Sequence, residues 1–291
     1  MANALRWDEQ LPNDSSWNVI SPSTSNRILL AVDFPAAGRR EAGFGDLAGK
    51  MGSAWGGYTF LQTTPPTVNL TDRPTGDFYT EHWLQGTDWS QCEVVAVFGY
   101  CVGSVYAAEL AKRLVEWQSA EPKVVLFDPQ LTDHQLLVME MTKMVTMAGP
   151  VFSDDEGRQA RQKAKEIIEK HENDVTAAAI DIVALYHEMI SLAFQRIGLA
   201  DARRDEVVRL FESYMSWLAA AGQVDPSEVW GRSTAITSSD WVGMESRGET
   251  TVLNASKVVG ATFPLDVSHA DLMRSDEAVA LLMDHAGIPT S

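Results

Sequence analysis

At 291 residues, with 45% hydrophobic side chains and nine tryptophans, the chain can bury the core of one large α/β domain or of such a domain carrying a sizeable insertion. Its formal net charge of −17 argues against nucleic acid or an anionic membrane as partner, since both need basic surfaces. Two cysteines do not make a disulfide framework, and neither a signal-like apolar segment nor an apolar run long enough to span a bilayer stands out, so a cytoplasmic protein is expected.

Residues 1 to about 16 are polar and proline-containing, an N-terminal arm. Trp17 to Ile20 reads as a short edge strand ended by Ser21 and Pro22, and Arg27 to Phe34 as a second strand broken by Pro35-Ala-Ala-Gly38. Phe44 to Met51 has weak helical spacing interrupted by glycines. Tyr58 to Thr63 is a third strand closed by Pro65 and Pro66, and Phe78 to Leu84, with Trp83, is a helix.

The next stretch organises the rest. Val94 to Phe98 is apolar and rich in valine, a strand buried on both faces. Gly99-Tyr-Cys-Val-Gly103 follows, and then Val105, Ala108, Leu110, Ala111, Leu114 and Val115 recur at helical spacing. Strand, tight turn and helix in that order match the nucleophile elbow G-x-S-x-G, with cysteine in place of serine. The glycines let strand and helix approach, and a thiol held at a helix N-terminus has its ionisation favoured. Cys101 is therefore the candidate nucleophile, whereas Cys92 at the strand entrance lacks this context and reads as structural.

Pro122 to Asp128 repeats the pattern, a buried strand ending in a carboxylate and closed by Pro129. Strands alternating with helices imply a mainly parallel, doubly wound sheet, whose ligand chemistry belongs at the carboxyl ends of the strands. From Thr132 to Trp230 helical patterns near 133–147, 154–172, 175–197 and 203–220 succeed one another without a strand signal. The block reads as a helical lid inserted at 132–230 into an α/β core of 1–131 and 231–291. Its methionines between Met139 and Met147 suit either an adaptable acyl pocket or an ordinary lid core. Strand patterns return at Ser233 to Asp240 and Lys257 to Phe263, before a final amphipathic helix that includes Leu272, Val279, Leu281, Leu282 and Met283.

A thiolate nucleophile needs a base, and the base needs a partner that fixes its tautomer. His134, His171 and His187 fall in the helical block, His82 lies ahead of the elbow and His285 on the last helix. Only His269 follows the last strand and precedes the last helix, the place of the base in α/β-hydrolases. Asp128, ending the strand after the elbow, is preferred as the orienting acid, with Asp240 as the alternative. Backbone N–H groups of Val102 and of Ala36 or Ala37 are placed to form an oxyanion hole. The scattered histidines lack metal-ligand spacing, so neither a metal nor a dissociable cofactor is expected.

Phe34-Pro-Ala-Ala-Gly38, Gly99-Tyr-Cys-Val-Gly103, Leu126-Phe-Asp128 and Ser268-His-Ala-Asp-Leu-Met273 resemble the thioesterase domains that release products from nonribosomal peptide and polyketide synthases. The resemblance covers roughly 27–130 and 232–286. It implies an α/β-hydrolase fold, Cys101 as nucleophile, His269 as base, Asp128 as acid, and Ala37 with Val102 as oxyanion donors. Two features depart from the family: cysteine replaces the usual serine, and Ala36 stands where a second proline is common. A cysteinyl thioester keeps the acyl group activated and favours transfer to an amine or hydroxyl over simple hydrolysis. The implied partner is an acyl or peptidyl carrier protein presenting a phosphopantetheine arm. Arg39 and Arg40 are a candidate docking patch; the Arg158, Arg161, Lys163 and Lys165 series is either a second patch or a solvated helix face. Two rival readings remain. A dienelactone-hydrolase-like cysteine hydrolase would promote Asp240, and a non-catalytic small-ligand binder on the same fold would leave Cys101 inert.

Overall fold

The structure, a computed structural model, describes residues 11, 16–35, 41–52, 57–147, 151–198, 200–241 and 258–286. It divides into two compact units.

The first unit comprises residues up to Pro66, Asp77–Leu131 and Val224 onward. It is built on a seven-stranded sheet of β1 (Trp17–Ser21), β2 (Arg27–Val32), β3 (Thr59–Thr63), β4 (Glu93–Tyr100), β5 (Lys123–Phe127), β6 (Thr234–Thr237) and β7 (Ala261–Pro264), in the order β1-β3-β2-β4-β5-β6-β7. β1 pairs with β3 antiparallel and every other pairing is parallel. The carboxyl ends of β2 to β7 therefore line one edge. The central strands are sealed on both faces, as parallel strands must be: Ile28 to Val32 and Ala96 to Phe98 are wholly inaccessible.

Among the described residues, helices α1 (Phe44–Met51), α2 (Gly76–Leu84), α3 (Gly103–Leu114), α8 (Ser227–Trp230) and α9 (Asp276–His285) belong to this unit, apart from Gly76. Alternate sheet residues Leu29, Ala31, Phe60, Ala96, Phe98, Tyr100, Val125, Phe127 and Ile236 share one cluster with Phe44, Leu47, Leu272 and Leu282. Phe44 anchors it, packing edge-on to Phe60 and Phe127 with ring centroids 6.1 Å away in each case. Val105, Tyr106, Leu110 and Leu114 give α3 its buried stripe. Tyr106 meets Trp83 of α2 edge-on at 5.3 Å, and the Trp230 indole of α8 donates to the Ser104 carbonyl at 3.1 Å. Val115, expected on the apolar stripe, is instead the helix C-cap and 46% exposed.

The last strands are shorter than their sequence patterns. β6 stops at Thr237 because the next N–H, of Ser238, turns onto a carboxylate at 2.7 Å. β7 begins at Ala261, because the Gly260 N–H is already committed to the Trp230 carbonyl at 2.9 Å; residue 257, the expected start, lies outside the described residues.

The second unit, Thr67–Gly76 with Thr132–Gln223, is helical: α4 (His134–Met147), α5 (Asp154–Lys170), α6 (Val175–Ile197) and α7 (Asp201–Ala221). Ser153 and Glu156 form a reciprocal capping box at the start of α5, and Asp174 caps α6 through the Ala177 N–H at 2.9 Å. Residues 67–76 join this unit through the Leu70 N–H on Glu212 (3.1 Å) and the Arg73–Asp174 ion pair. Of the methionines in α4, Met141 is buried while Met139 is 44% exposed. α6 is long and apolar enough to cross a membrane by length and composition, with a mean hydropathy of 1.5, although no such run was expected from the sequence. Within this unit Ala178, Ala179, Ile182, Leu185, Tyr186, Met189, Ile190 and Ala193 are buried. Tyr186 lies 4.1 Å from the ring of Phe211 on α7, which accounts for the apolarity as that of a core helix.

Candidate active site

β4 ends at Tyr100, and the chain turns through Cys101 and Val102 into α3. Cys101 has φ 52°, in the left-handed region that a residue with a Cβ enters only under constraint. The constraint is visible around it. Its N–H donates to the Phe127 carbonyl at 2.9 Å, and its carbonyl accepts from the N–H groups of Ser104 (3.1 Å) and Gln130 (3.2 Å). A Cβ on Gly103 would sit 2.2 Å from the Val32 carbonyl oxygen, and one on Gly99 would sit 2.4 Å from the Ser104 Cα. Both glycines are thus needed for α3 to press against the ends of β2 and β4. The turn leaves Cys101 partly exposed, with its thiol donating to the Gln130 side-chain oxygen at 3.4 Å.

Asp128 begins the turn after β5 and is likewise left-handed, with φ 45°. It is 2% exposed and held from three sides. The Ser238 N–H donates to Oδ1 at 2.7 Å, the Ser238 hydroxyl donates to Oδ2 at 2.6 Å, and His269 Nδ1 lies 2.6 Å from Oδ2. His269 opens a 3₁₀ turn, His269–Arg274, anchored in the core by buried Leu272 and Met273. Asp240 takes a different place: its Oδ2 accepts from the backbone N–H of His269 at 2.9 Å. Of the two candidate acids, Asp128 meets the ring and Asp240 the main chain.

Tyr100 lies against the face of the imidazole. The rings stack at 4.8 Å with an 11° interplanar angle, Oη lies 2.9 Å from Nε2, and the hydroxyl donates to the His269 carbonyl at 2.9 Å. Tyr100, Gln130 and Ser238 escaped the sequence reading. Only Tyr100 carried a signal there, since strand alternation places it on the face of Ala96 and Phe98. Val102 is the N-cap of α3, where the leading N–H groups precede the first intrahelical bond. Ala36 and Ala37, expected to supply the second oxyanion donor, lie outside the described residues, as do Arg39 and Arg40. Just before them, Asp33 is buried and accepts from the Phe34 N–H at 2.8 Å.

The histidines outside this cluster also have places. Lys170 and then His171, which pairs with it at 2.8 Å, hold the Asp181 carboxylate below its ordinary range, and His134 Nε2 lies 2.8 Å from the His171 carbonyl oxygen. Burial lowers the pKa of His82. Among the described residues no group of three or more His, Cys, Asp and Glu could hold a metal ion.

A parallel sheet with one antiparallel edge strand, a left-handed elbow between β4 and α3, and a carboxylate and an imidazole arriving from later strand ends make this an α/β-hydrolase fold. No protein-family model matches the sequence, and a search of curated proteins finds no match. Among solved structures, the chain is similar to the Vlm2 thioesterase domain with genetically encoded 2,3-diaminopropionic acid bound with a dodecadepsipeptide, at TM-score 0.48 and 15% identity over 94% of this chain and 99% of that one. It is similar also to the enol-lactonase from Burkholderia xenovorans LB400 (TM-score 0.48, 15% identity, 90% of this chain and 92% of that one). A third is the NocB thioesterase domain from the nocardicin cluster (TM-score 0.44, 12% identity, 94% and 99%). The fold assignment itself rests on the strand order and the elbow.

Proposed function

We propose that the protein is a thioesterase or acyltransferase that takes an acyl group from a carrier-bound or CoA-like thioester onto Cys101 and passes it to an acceptor. The observation that carries this reading is the His269–Asp128 pair, at 2.6 Å, assembled from β5 and the segment after β7 at the strand edge where the elbow presents Cys101. In the proposed cycle the Cys101 thiolate attacks the carbonyl carbon of the incoming thioester. The carbonyl oxygen becomes an oxyanion, which the Val102 N–H and a donor from Ala36 or Ala37 would stabilise. Collapse breaks the bond to the departing sulfur, which receives a proton from His269. The acyl group is now a thioester of Cys101. Neutral His269, its Nδ1 proton held by Asp128, then takes the proton of an incoming water, amine or hydroxyl as that nucleophile attacks, and Cys101 leaves as thiolate. Because a thioester is exchanged for a thioester, the first half-reaction is nearly balanced in free energy. The activated acyl group is thereby available for transfer or cyclisation as well as hydrolysis.

The delivering partner proposed is an acidic acyl or peptidyl carrier protein, with Arg39 and Arg40 next to the oxyanion segment as its contact, in natural-product biosynthesis. Incubation with a panel of acyl-pantetheine and acyl-CoA thioesters, followed by intact-protein and peptide mass spectrometry, tests the reading. An acyl adduct on Cys101 that is absent from Cys101→Ala is expected. No adduct with any thioester, or an adduct that survives Cys101→Ala, would overturn it.

A further inference from the structure

We propose that Ser238 is a positioning residue: its hydroxyl and its backbone N–H together set the carboxyl group of Asp128 so that one oxygen faces the His269 ring. The inference deepens the functional reading above and rests on it for the reaction that the pair serves.

A terminal carboxyl group turns about a broad, soft torsion, so contact with a single partner fixes a distance and leaves its plane open. Ser238 grips both oxygens. Its N–H donates to Oδ1 at 2.7 Å and its hydroxyl to Oδ2 at 2.6 Å. A carboxyl oxygen presents two lone-pair directions. With the hydroxyl along one of them, the other is left for His269 Nδ1, which lies 2.6 Å from the same Oδ2. Ser238 is 4% exposed and Asp128 2%, so the grip is shielded from bulk water.

The register of the sheet delivers this serine. Phe127 of β5 pairs with Ile236 of β6, and the Asp128 N–H donates to the Ile236 carbonyl at 3.1 Å. The chain two residues further on then meets the Asp128 side chain. The residues that follow hold the segment carrying the base. The N–H and hydroxyl of Ser239 both donate to the Val267 carbonyl, at 2.9 and 3.0 Å, and Asp240 Oδ2 accepts from the His269 N–H at 2.9 Å. One three-residue run thus ties the acid to the segment that bears the base. A serine that only closed β6 would need no more than a main-chain acceptor. Ser233, equally buried just before β6, gives its hydroxyl to the Val229 carbonyl at 2.7 Å. Ser238 gives its own to the site.

The test uses Ser238→Ala, which removes the hydroxyl and keeps the N–H bond, and Ser238→Thr, which restores a hydroxyl, each checked for folding by circular dichroism. With the acyl-pantetheine thioester that loads Cys101 most completely, Ser238→Ala should lower kcat about tenfold with KM within about twofold, and Ser238→Thr should recover most of the loss. Because Ser238 acts through Asp128, adding Ser238→Ala to Asp128→Asn should cost no more than about a further twofold. Unchanged kcat in folded Ser238→Ala overturns the inference, as does a loss confined to KM or one that adds in full to Asp128→Asn. A readout without substrate separates the two readings: carbon-13 NMR of the His269 ring in the full chain, assigned by its absence from His269→Gln. The ring resonances should move or broaden in Ser238→Ala and return in Ser238→Thr. If no thioester loads wild type, the functional reading falls and these resonances alone decide: a shift restored by threonine upholds the positioning of the pair, and spectra of Ser238→Ala that superimpose on wild type overturn it.

Discussion

The two cysteines stand at opposite ends of one strand and are chemically unlike. Cys92 precedes β4, is buried, and directs its thiol to the Trp89 carbonyl at 3.5 Å. Burial, reinforced by the charge of Asp88, pushes its pKa up to about 12. Cys101 follows β4, is partly exposed, and lies at the N-terminal end of α3, whose first turn carries no acidic residue to offset the positive pole of the helix. In a parallel sheet the helix N-termini gather at the carboxyl ends of the strands, so the two ends of β4 give their sulfurs different surroundings. The same residue type is thus buried at one end of the strand and partly open to solvent at the other.

The largest expected effect that sharpens this contrast is at Cys101 itself. Cys101→Ala should lower turnover of any accepted thioester about 10⁴-fold or more, whereas Cys92→Ala should leave it within about twofold. A Cys92 variant as damaging as the Cys101 variant would erase the distinction. Next comes the acid. Asp128→Asn should cost about 10²- to 10⁴-fold in turnover by disturbing the tautomer of His269, and Asp240→Asn less than about tenfold, because it touches only the main chain. The reverse order would restore the lactone-hydrolase-like reading with Asp240 as acid. Smaller in free energy is the elbow scaffold. Gly103→Ala places a Cβ 2.2 Å from the Val32 carbonyl oxygen, and a loss of about 3 kcal/mol in denaturant unfolding is expected as α3 is forced off β2.

These predictions draw unevenly on what the chain alone revealed. β4 and α3 were legible because the apolar pattern changes from a continuous run to helical spacing across Gly99 and Gly103, and both glycines prove to be sterically required. α4 to α7 were legible for the same reason, through their 3.6-residue period. Residues 67–76 were not assigned to the helical unit, because their place depends on Glu212 and Asp174, partners that no local pattern announces. β7 was placed too early, since it is a short strand ending in Pro264 with only partly covered residues, which a hydrophobic pattern marks poorly. At the site, the loops that carry Asp128 and His269 followed from strand order. The stacking of Tyr100 on a residue 169 positions later did not, because it is fixed by how a 3₁₀ turn seats on the sheet.

The smallest effect tests the inert end of the contrast, and its sign is fixed by linkage. The Cys92 thiol ionises near an ordinary 9.0 once the chain unfolds but only at about 12 in the folded protein. A group whose folded pKa is raised contributes stability that is complete below the unfolded value and is lost as pH climbs to the folded one. Between about pH 9 and 12 the unfolded chain releases this proton and the native protein retains it. Wild type should therefore lose denaturant stability across that window faster than Cys92→Ala, which has no proton to release, while the two curves run parallel below pH 8. Alkylation gives the kinetic counterpart: at pH 8 iodoacetamide should label Cys101 and spare Cys92 until the protein is unfolded. Parallel stability curves through pH 11, or equal labelling of both sulfurs in the folded protein, would mean that the two ends of β4 do not hold their thiols differently.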